Sequence, residues 1–242
     1  VRNMCSIISS INSYVLSFCG KLSRQLLFYS AAIKIINYNK QLGYSYVFPQ
    51  FHSKFIKAKA LYDFGLLVNN GSRKKVVSND FFEENYFYLI SGVNQGGKTT
   101  FLKSIGIAQL FAQNGLPVYA DEYECPVYKS FVSHFPKDED MALSHGKLAE
   151  ELTRFHNSLP LIKDNALVLL NESFATTTER EGCEIASDVL KALSKVQPSL
   201  LFVTHNFRLL KNIEEINKML ENSIHLCSLI VYAGKSSTDR TY

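Results

Sequence analysis

The run Gly92-Val93-Asn94-Gln95-Gly96-Gly97-Lys98-Thr99 has the spacing G-x-x-x-x-G-K-[ST], and that spacing suits the wrapping of phosphates. Glycines let successive backbone N–H groups turn inward with no Cβ in the way. A helix beginning near Lys98 aims the positive end of its dipole at the same anion. The Lys98 ammonium is placed to neutralise charge on β and γ phosphates, and the Thr99 hydroxyl to give an oxygen to Mg²⁺. Thr100 follows on the same first turn. The chemistry these residues imply is binding of a nucleoside triphosphate such as ATP, with Mg²⁺.

A phosphate loop alone does not separate kinases, GTPases and ABC-like ATPases. The second half of the chain is more selective. The apolar run "ALVLL" ends in Asn171-Glu172, and "LLFVTHN" carries His205 just past another apolar run. A side-chain oxygen at position 171 is placed to organise the Mg²⁺ shell, where many NTPases use aspartate. Glu172 is placed to orient or deprotonate an attacking water, also near the metal, and His205 to sense the γ phosphate. A glutamate at a strand end is ordinarily only solvated, and a lone histidine is ordinarily satisfied by its neighbours. Standing after successive strands of a phosphate-loop sheet, the pair instead matches the ABC-class arrangement.

These residues need a scaffold that delivers several strand ends to one place. "YFYLIS" reads as a buried strand and Thr99 to Asn114 as a helix. "PVYA" and "YKSFVSHF" are further strand candidates. Ser144 to Leu159 reads as a helix with Leu148, Leu152, Phe155 and Leu159 on one side. Ala166 to Leu170 is an apolar strand, Glu181 to Ser194 a helix, "SLLFVTH" a strand, Asn206 to Glu221 a helix and "SIHLCSLIVYA" a last strand. Apolar strands alternating with amphipathic helices predict an α/β fold with a mainly parallel sheet covered on both faces.

Upstream, apolar residues recur from Ile8 through Ile11, Val15, Phe18, Leu22, Leu26, Tyr29 and Ile33 to Ile36. These steps of three and four predict one long helix from about Ser6 to Tyr38, although two shorter core helices leave the same trace. The pattern breaks at Gly43 and Pro49. The stretch from Lys59 to Ile90 then mixes short β-prone runs with the turn signal "NNGS".

With 242 residues, 46% hydrophobic and 20% charged, the chain is long enough to bury a core in one or two domains. Its net charge of +4 is spread without a basic run, so charge alone does not point to nucleic acid. The odd number of cysteines, five, lacks any CxxC pair, which argues for free thiols over a disulfide framework or zinc site. No apolar run approaches the roughly 18 residues of a membrane span.

Three motifs together resemble the MutS family of DNA mismatch-repair ATPases. "SGVNQGGKTTFLKSIGIAQLFAQNGLPVYA" is similar to that family's phosphate loop and following helix, "LLNESFATTTEREG" to its second motif and the loop after it, and "LFVTHNF" to its histidine switch. "NQGGKTTFL" and "NESFATT" resemble a subgroup of MutS-related proteins rather than the mismatch-recognition proteins proper. The resemblance spans about Val76 to Tyr242, with a weaker likeness of the long helix to the end of the family's lever region.

The resemblance implies a P-loop NTPase fold of ABC-ATPase type, preceded by a helical lever or arm over 1–42. The ATPase domain then covers 43–242, with 43–85 as its β-rich N-terminal part. It implies a homodimer, each composite site completed by the partner. It also implies DNA as a partner, through regions outside this segment, and a cytoplasmic, nucleoid-associated setting without membrane contact. On matching positions, Asn94, Gly97, Lys98 and Thr99 fall on the nucleotide-binding loop, Glu172 on the catalytic carboxylate and His205 on the switch. Ala175 to Thr178 fall where the family couples its two sites. Leu143 to Leu152 fall on the signature region that reaches the partner's γ phosphate, and Val76 or Val77 near the position where the family stacks a ring on adenine.

The departures are informative. Asn171 replaces the usual aspartate and removes one negative charge, although its amide oxygen still accepts a hydrogen bond. Gly146 stands where the signature serine is expected, with Ser144 nearby as a substitute. Valine at position 76 offers only an apolar wall. The C-terminal helices that tighten the family's dimer do not follow before Tyr242, and the chain is expected to be a piece of a longer polypeptide. The leading expectation is an ATPase whose nucleotide cycle drives dimer and arm movements on DNA. The alternatives are a nucleotide-dependent interaction module with little hydrolysis and an ABC-transporter ATPase subunit, the last weakened by the missing "LSGGQ" string.

Overall fold

The computed structural model describes residues 2–52, 54–70, 75–84, 86–93, 96–136, 146–220, 224–233 and 240–241. The chain divides into two compact units, Val1–Tyr46 and Val47–Tyr242.

In the first unit, α1 (Arg2–Gln41) is a continuous helix of 40 residues, about 60 Å long at 1.5 Å per residue. The apolar repeat therefore belongs to one helix and not to two. Ile8, Ile11, Val15, Phe18, Leu22 and Leu26 on that repeat are all exposed.

The second unit contains two sheets. The smaller is antiparallel, ordered β2-β1-β4, from β1 (Lys57–Leu61), β2 (Asn79–Phe82) and β4 (Glu122–Glu124). Between β1 and β2 the sequence suggests β-prone runs, yet Phe64–Asn70 is helical (α2). Asp63 explains the difference, because its Oδ1 accepts the Leu66 N–H at 2.7 Å and its carbonyl accepts the Leu67 N–H, starting a helical turn.

The larger sheet is ordered β5-β6-β7-β3-β8-β9. Its strands are β3 (Tyr86–Gly92), β5 (Ser130–His134), β6 (Ala166–Asn171), β7 (Ser199–Val203), β8 (His225–Ala233) and β9 (Arg240–Thr241). The first five in spatial order run parallel, and only β9 is antiparallel. Helices α3 (Lys98–Gln113), α4 (Lys147–Ser158) and α5 (Glu179–Ser194) alternate with these strands. Alternate residues of β3 serve two cores. Tyr88 and Ile90 join Phe101, Leu102 and Ile105 of α3 on one face. Phe87 and Leu89 join Phe155 of α4 and Leu190 and Leu193 of α5 on the other. Burial on both faces explains why the strands read as unbroken apolar runs.

Three local expectations are corrected. "PVYA" is not a strand; Val118 makes only an isolated antiparallel bridge with Val47. The helix expected from Asn206 to Glu221 is two short ones, α6 (Phe207–Lys211) and α7 (Ile213–Met219), separated by Asn212, whose φ −94° and ψ 12° leave the helical range. Helix α5 starts at Glu179 rather than Glu181, because Thr178 is its N-cap and its hydroxyl accepts the Glu181 N–H at 3.3 Å. Among the described residues no helix is long and apolar enough to cross a membrane.

Candidate functional site

Parallel strands deliver their carboxyl ends to the same edge of a sheet, and ligands of open α/β sheets bind in the crevice outside that edge. Here β3 ends at Gly92, β6 at Asn171 and β7 at Val203, with Asn171 opposite Val203 and Val203 opposite Ile90. The residues that follow face one groove of about 1010 Å³. It is lined by Gly92, Val93, Gly96, Gly97, Lys98, Thr99 and Thr100 from the loop, by Glu172 and His205 from the neighbouring strand ends, and by Phe207.

The loop turns on positive backbone angles at Gly92 (φ 135°) and Gly97 (φ 95°), and Gly97 is the N-cap of α3. The Gly96 N–H donates to Val93 O at 3.1 Å, closing the turn. Lys98 is only 5% exposed. Its Nζ donates to Gly92 O at 3.1 Å and to Val93 O at 2.9 Å. Burial pushes the Lys98 pKa down, and the Glu172 carboxylate opposes that shift. The Lys98 ammonium so held puts a positive charge in the groove, which favours an anion there.

Two side-chain pairs complete the site. Thr99 Oγ1 donates to Asn171 Oδ1 at 2.9 Å across 72 residues of sequence. Glu172 Oε1 lies 3.1 Å from His205 Nε2, and both side chains are partly open, each 37% exposed. Glu172 adopts φ 49°, and its N–H donates to Val203 O at 2.8 Å. After β7, Thr204 N donates to Ile90 O at 3.0 Å, so the segment bearing His205 is anchored to the strand that bears the loop.

The structure thus brings together Gly92, Val93, Gly96, Gly97, Lys98, Thr99, Thr100, Asn171, Glu172 and His205. Asn94, Gln95 and Ser144 lie outside the described residues. Val76 is not brought to the groove: its side chain is 3% exposed and packed in the interior. The exposed apolar side chains at the groove are Val93 and Phe207. Gly146 is the N-cap of α4, with φ 123°, and does not line this groove.

A buried polar group that no sequence motif marks lies next to the segment after Glu172. Glu151 of α4 is 7% exposed. Its two oxygens accept the Phe174 N–H at 2.8 Å and the Thr176 hydroxyl at 2.7 Å. His134, at the end of β5, contacts Ser173 Oγ through Nδ1 at 2.8 Å, and Arg154 Nε donates to His134 Nε2 at 3.3 Å. Burial pushes the His134 pKa down, helped by the Arg154 cation. One sequence signal was available: Glu151 sits three residues after Leu148 and four before Phe155, so a carboxylate stands on the apolar stripe of its helix.

A parallel sheet with a glycine-rich loop between β3 and α3 defines an α/β domain of P-loop-like type. Residues 88–231 match the family described as MutS domain V, and the chain belongs to the MutS family. It is 33% identical over 132 residues to Endonuclease MutS2 of Streptococcus thermophilus, covering 53% of this chain and 17% of that protein. It is 32% identical over 137 residues to DNA mismatch repair protein MutS of Thermus aquaticus, covering 57% of this chain and 17% of that protein. The match therefore spans about a sixth of the length of these relatives.

Proposed function

We propose that this chain is the ATP-binding and ATP-hydrolysing domain of a MutS-like protein acting on DNA inside the cell, with an ABC-type site and with ATP driving dimer and arm movements. The observation that carries the reading is the convergence, in a MutS-family chain, of Lys98, the Thr99–Asn171 pair and the Glu172–His205 pair on one groove. The donor set fits Mg²⁺, a hard cation that takes oxygen ligands: the Thr99 hydroxyl and the Asn171 amide oxygen are side by side. Bound Mg·ATP supplies a γ-phosphoryl group that is transferred to water.

The chain's own residues do the rest. Backbone amides of the loop and the Lys98 ammonium hold the phosphates. Thr99 and Asn171 hold the metal or its water. Glu172 orients a water and accepts its proton, and His205 steadies the Glu172 carboxylate through the 3.1 Å contact. A nucleotide that bridges two protomers shifts a conformational equilibrium only through contacts that differ between the two states.

Calorimetric titration of Mg·ATP and single-turnover hydrolysis test this reading. Lys98→Ala is expected to abolish binding, and Glu172→Gln to bind while ceasing to turn over. Hydrolysis by Glu172→Gln at the wild-type rate refutes the role of that carboxylate. DNA binding by the full-length protein is expected to weaken steeply with salt. Asn171 favours a second reading, a nucleotide-dependent interaction module: its amide lacks the negative charge of aspartate. Measurable binding with no phosphate release over hours selects that reading.

A further inference from the structure

We propose that Glu151 is a positioning residue for Glu172, fastening the loop behind that carboxylate to helix α4. The inference rests on the reading of Glu172 given above. A buried carboxylate is costly unless both oxygens are satisfied, and both Glu151 oxygens are used on one loop, at Phe174 and Thr176. Hydrogen bonds to an ionised acceptor are the stronger kind.

The loop needs such a fastener. Glu172 (φ 49°) and Phe174 (φ 65°) are both left-handed without being glycine. Such residues are strained and persist where their surroundings over-determine them. The Glu172 N–H is held by Val203 O, and the Phe174 N–H by Glu151. A second clamp lies beside the first. Guanidinium groups only donate, so the Arg154 contact makes His134 Nε2 the acceptor. Nδ1 then carries the proton and donates to Ser173 Oγ. The Phe174 ring packs edge-on against Phe155 at 5.4 Å and stacks on His134 at 6.1 Å. Residues 151, 154 and 155 of α4 thus all bear on residues 173–176, directly or through His134. A displacement of α4 is carried to the backbone next to Glu172.

The test compares wild type, Glu151→Ala, Glu151→Gln and Thr176→Val in Mg·ATP titration, thermal melting and steady-state hydrolysis. Misplacing a reacting group by about 1 Å costs roughly 100-fold in rate. Glu151→Ala is therefore expected to lower kcat by about 10- to 100-fold, with the Kd for Mg·ATP within about twofold of wild type. Glu151→Gln keeps an acceptor for the Phe174 N–H and is expected to recover most of kcat. Thr176→Val removes one of the two bonds without removing the carboxylate and is expected to fall between. It carries the test if Glu151→Ala does not fold. Wild-type kcat in the folded variants, in a protein whose turnover is stopped by Glu172→Gln, overturns this inference alone. Loss of affinity equal to the loss of rate also overturns it. A wild type that binds Mg·ATP without turning it over overturns both this inference and the reading beneath it.

Discussion

Replacing Gly92 with alanine puts a methyl group into backbone. An ideal Cβ at that position stands 2.3 Å from Val231 O and 3.0 Å from both Val231 N and Val231 Cβ. A carbon ordinarily approaches a carbonyl oxygen to about 3.3 Å, so β3 and β8 must part by about 1 Å where Gly92 pairs with Val231. The backbone angle, φ 135°, adds strain of about 1–3 kcal/mol for a residue with a side chain. Overpacking adds about 1–3 kcal/mol. The expected destabilisation is about 2–6 kcal/mol, which lowers Tm by about 5–20 °C in a chain of this size. The same displacement falls at the start of the loop proposed to hold phosphate, so nucleotide affinity is expected to fall with it. Gly115→Ala is the matched control, because Gly115 has φ 72° but its Cβ would meet nothing within 4 Å. It carries strain without contact and is expected to lose about 1–2 kcal/mol. Thermal melts followed by circular dichroism, with calorimetric titration of Mg·ATP, read both effects. Equal loss of stability in Gly92→Ala and Gly115→Ala refutes the contact argument.

Glu83 is 4% exposed and accepts the Ile56 N–H at 2.9 Å. Burial pushes its carboxyl up from the ordinary 4.5. The folded chain therefore binds this proton more tightly than the unfolded chain, and the group's contribution to stability is lost as pH rises through the folded pKa. Wild type is expected to lose stability relative to Glu83→Gln as pH rises above the ordinary 4.5 in urea melts, and a pH-independent difference contradicts this. Asn171→Asp keeps an acceptor for Thr99 and adds one negative charge at the position proposed for the metal. The Mg²⁺ concentration for half-maximal nucleotide binding is expected to fall by about 5- to 10-fold, and an unchanged Mg²⁺ dependence counts against the metal role of residue 171. Phe174→Ala empties a site 2% exposed between His134 and Phe155 and is expected to cost about 3–5 kcal/mol in denaturant unfolding; a loss under about 1 kcal/mol refutes the packing role.

Local pattern carried much of this molecule. The period of α1, the apolar runs of β3, β6, β7 and β8, and the glycine spacing from Gly92 to Gly97 are written in neighbouring residues. Each reflects a local cause: helical or strand repeat, burial on both sheet faces, or backbone angles that exclude a Cβ. That Glu172 and His205 stand at the groove was legible because each follows such a strand. Local propensity misled where one side chain outweighs it, as Asp63 does in starting α2, and where the backbone leaves the helical range, as at Asn212 between α6 and α7. Tertiary structure alone decided that β7 lies between β6 and β3, that Thr99 meets Asn171, that Val76 is interior, and that Glu151 grips the loop behind Glu172. The physical reason is distance along the chain. Which strands pair depends on burying both sheet faces at once, and a hydrogen bond between residues tens of positions apart leaves no trace in either one's immediate neighbours.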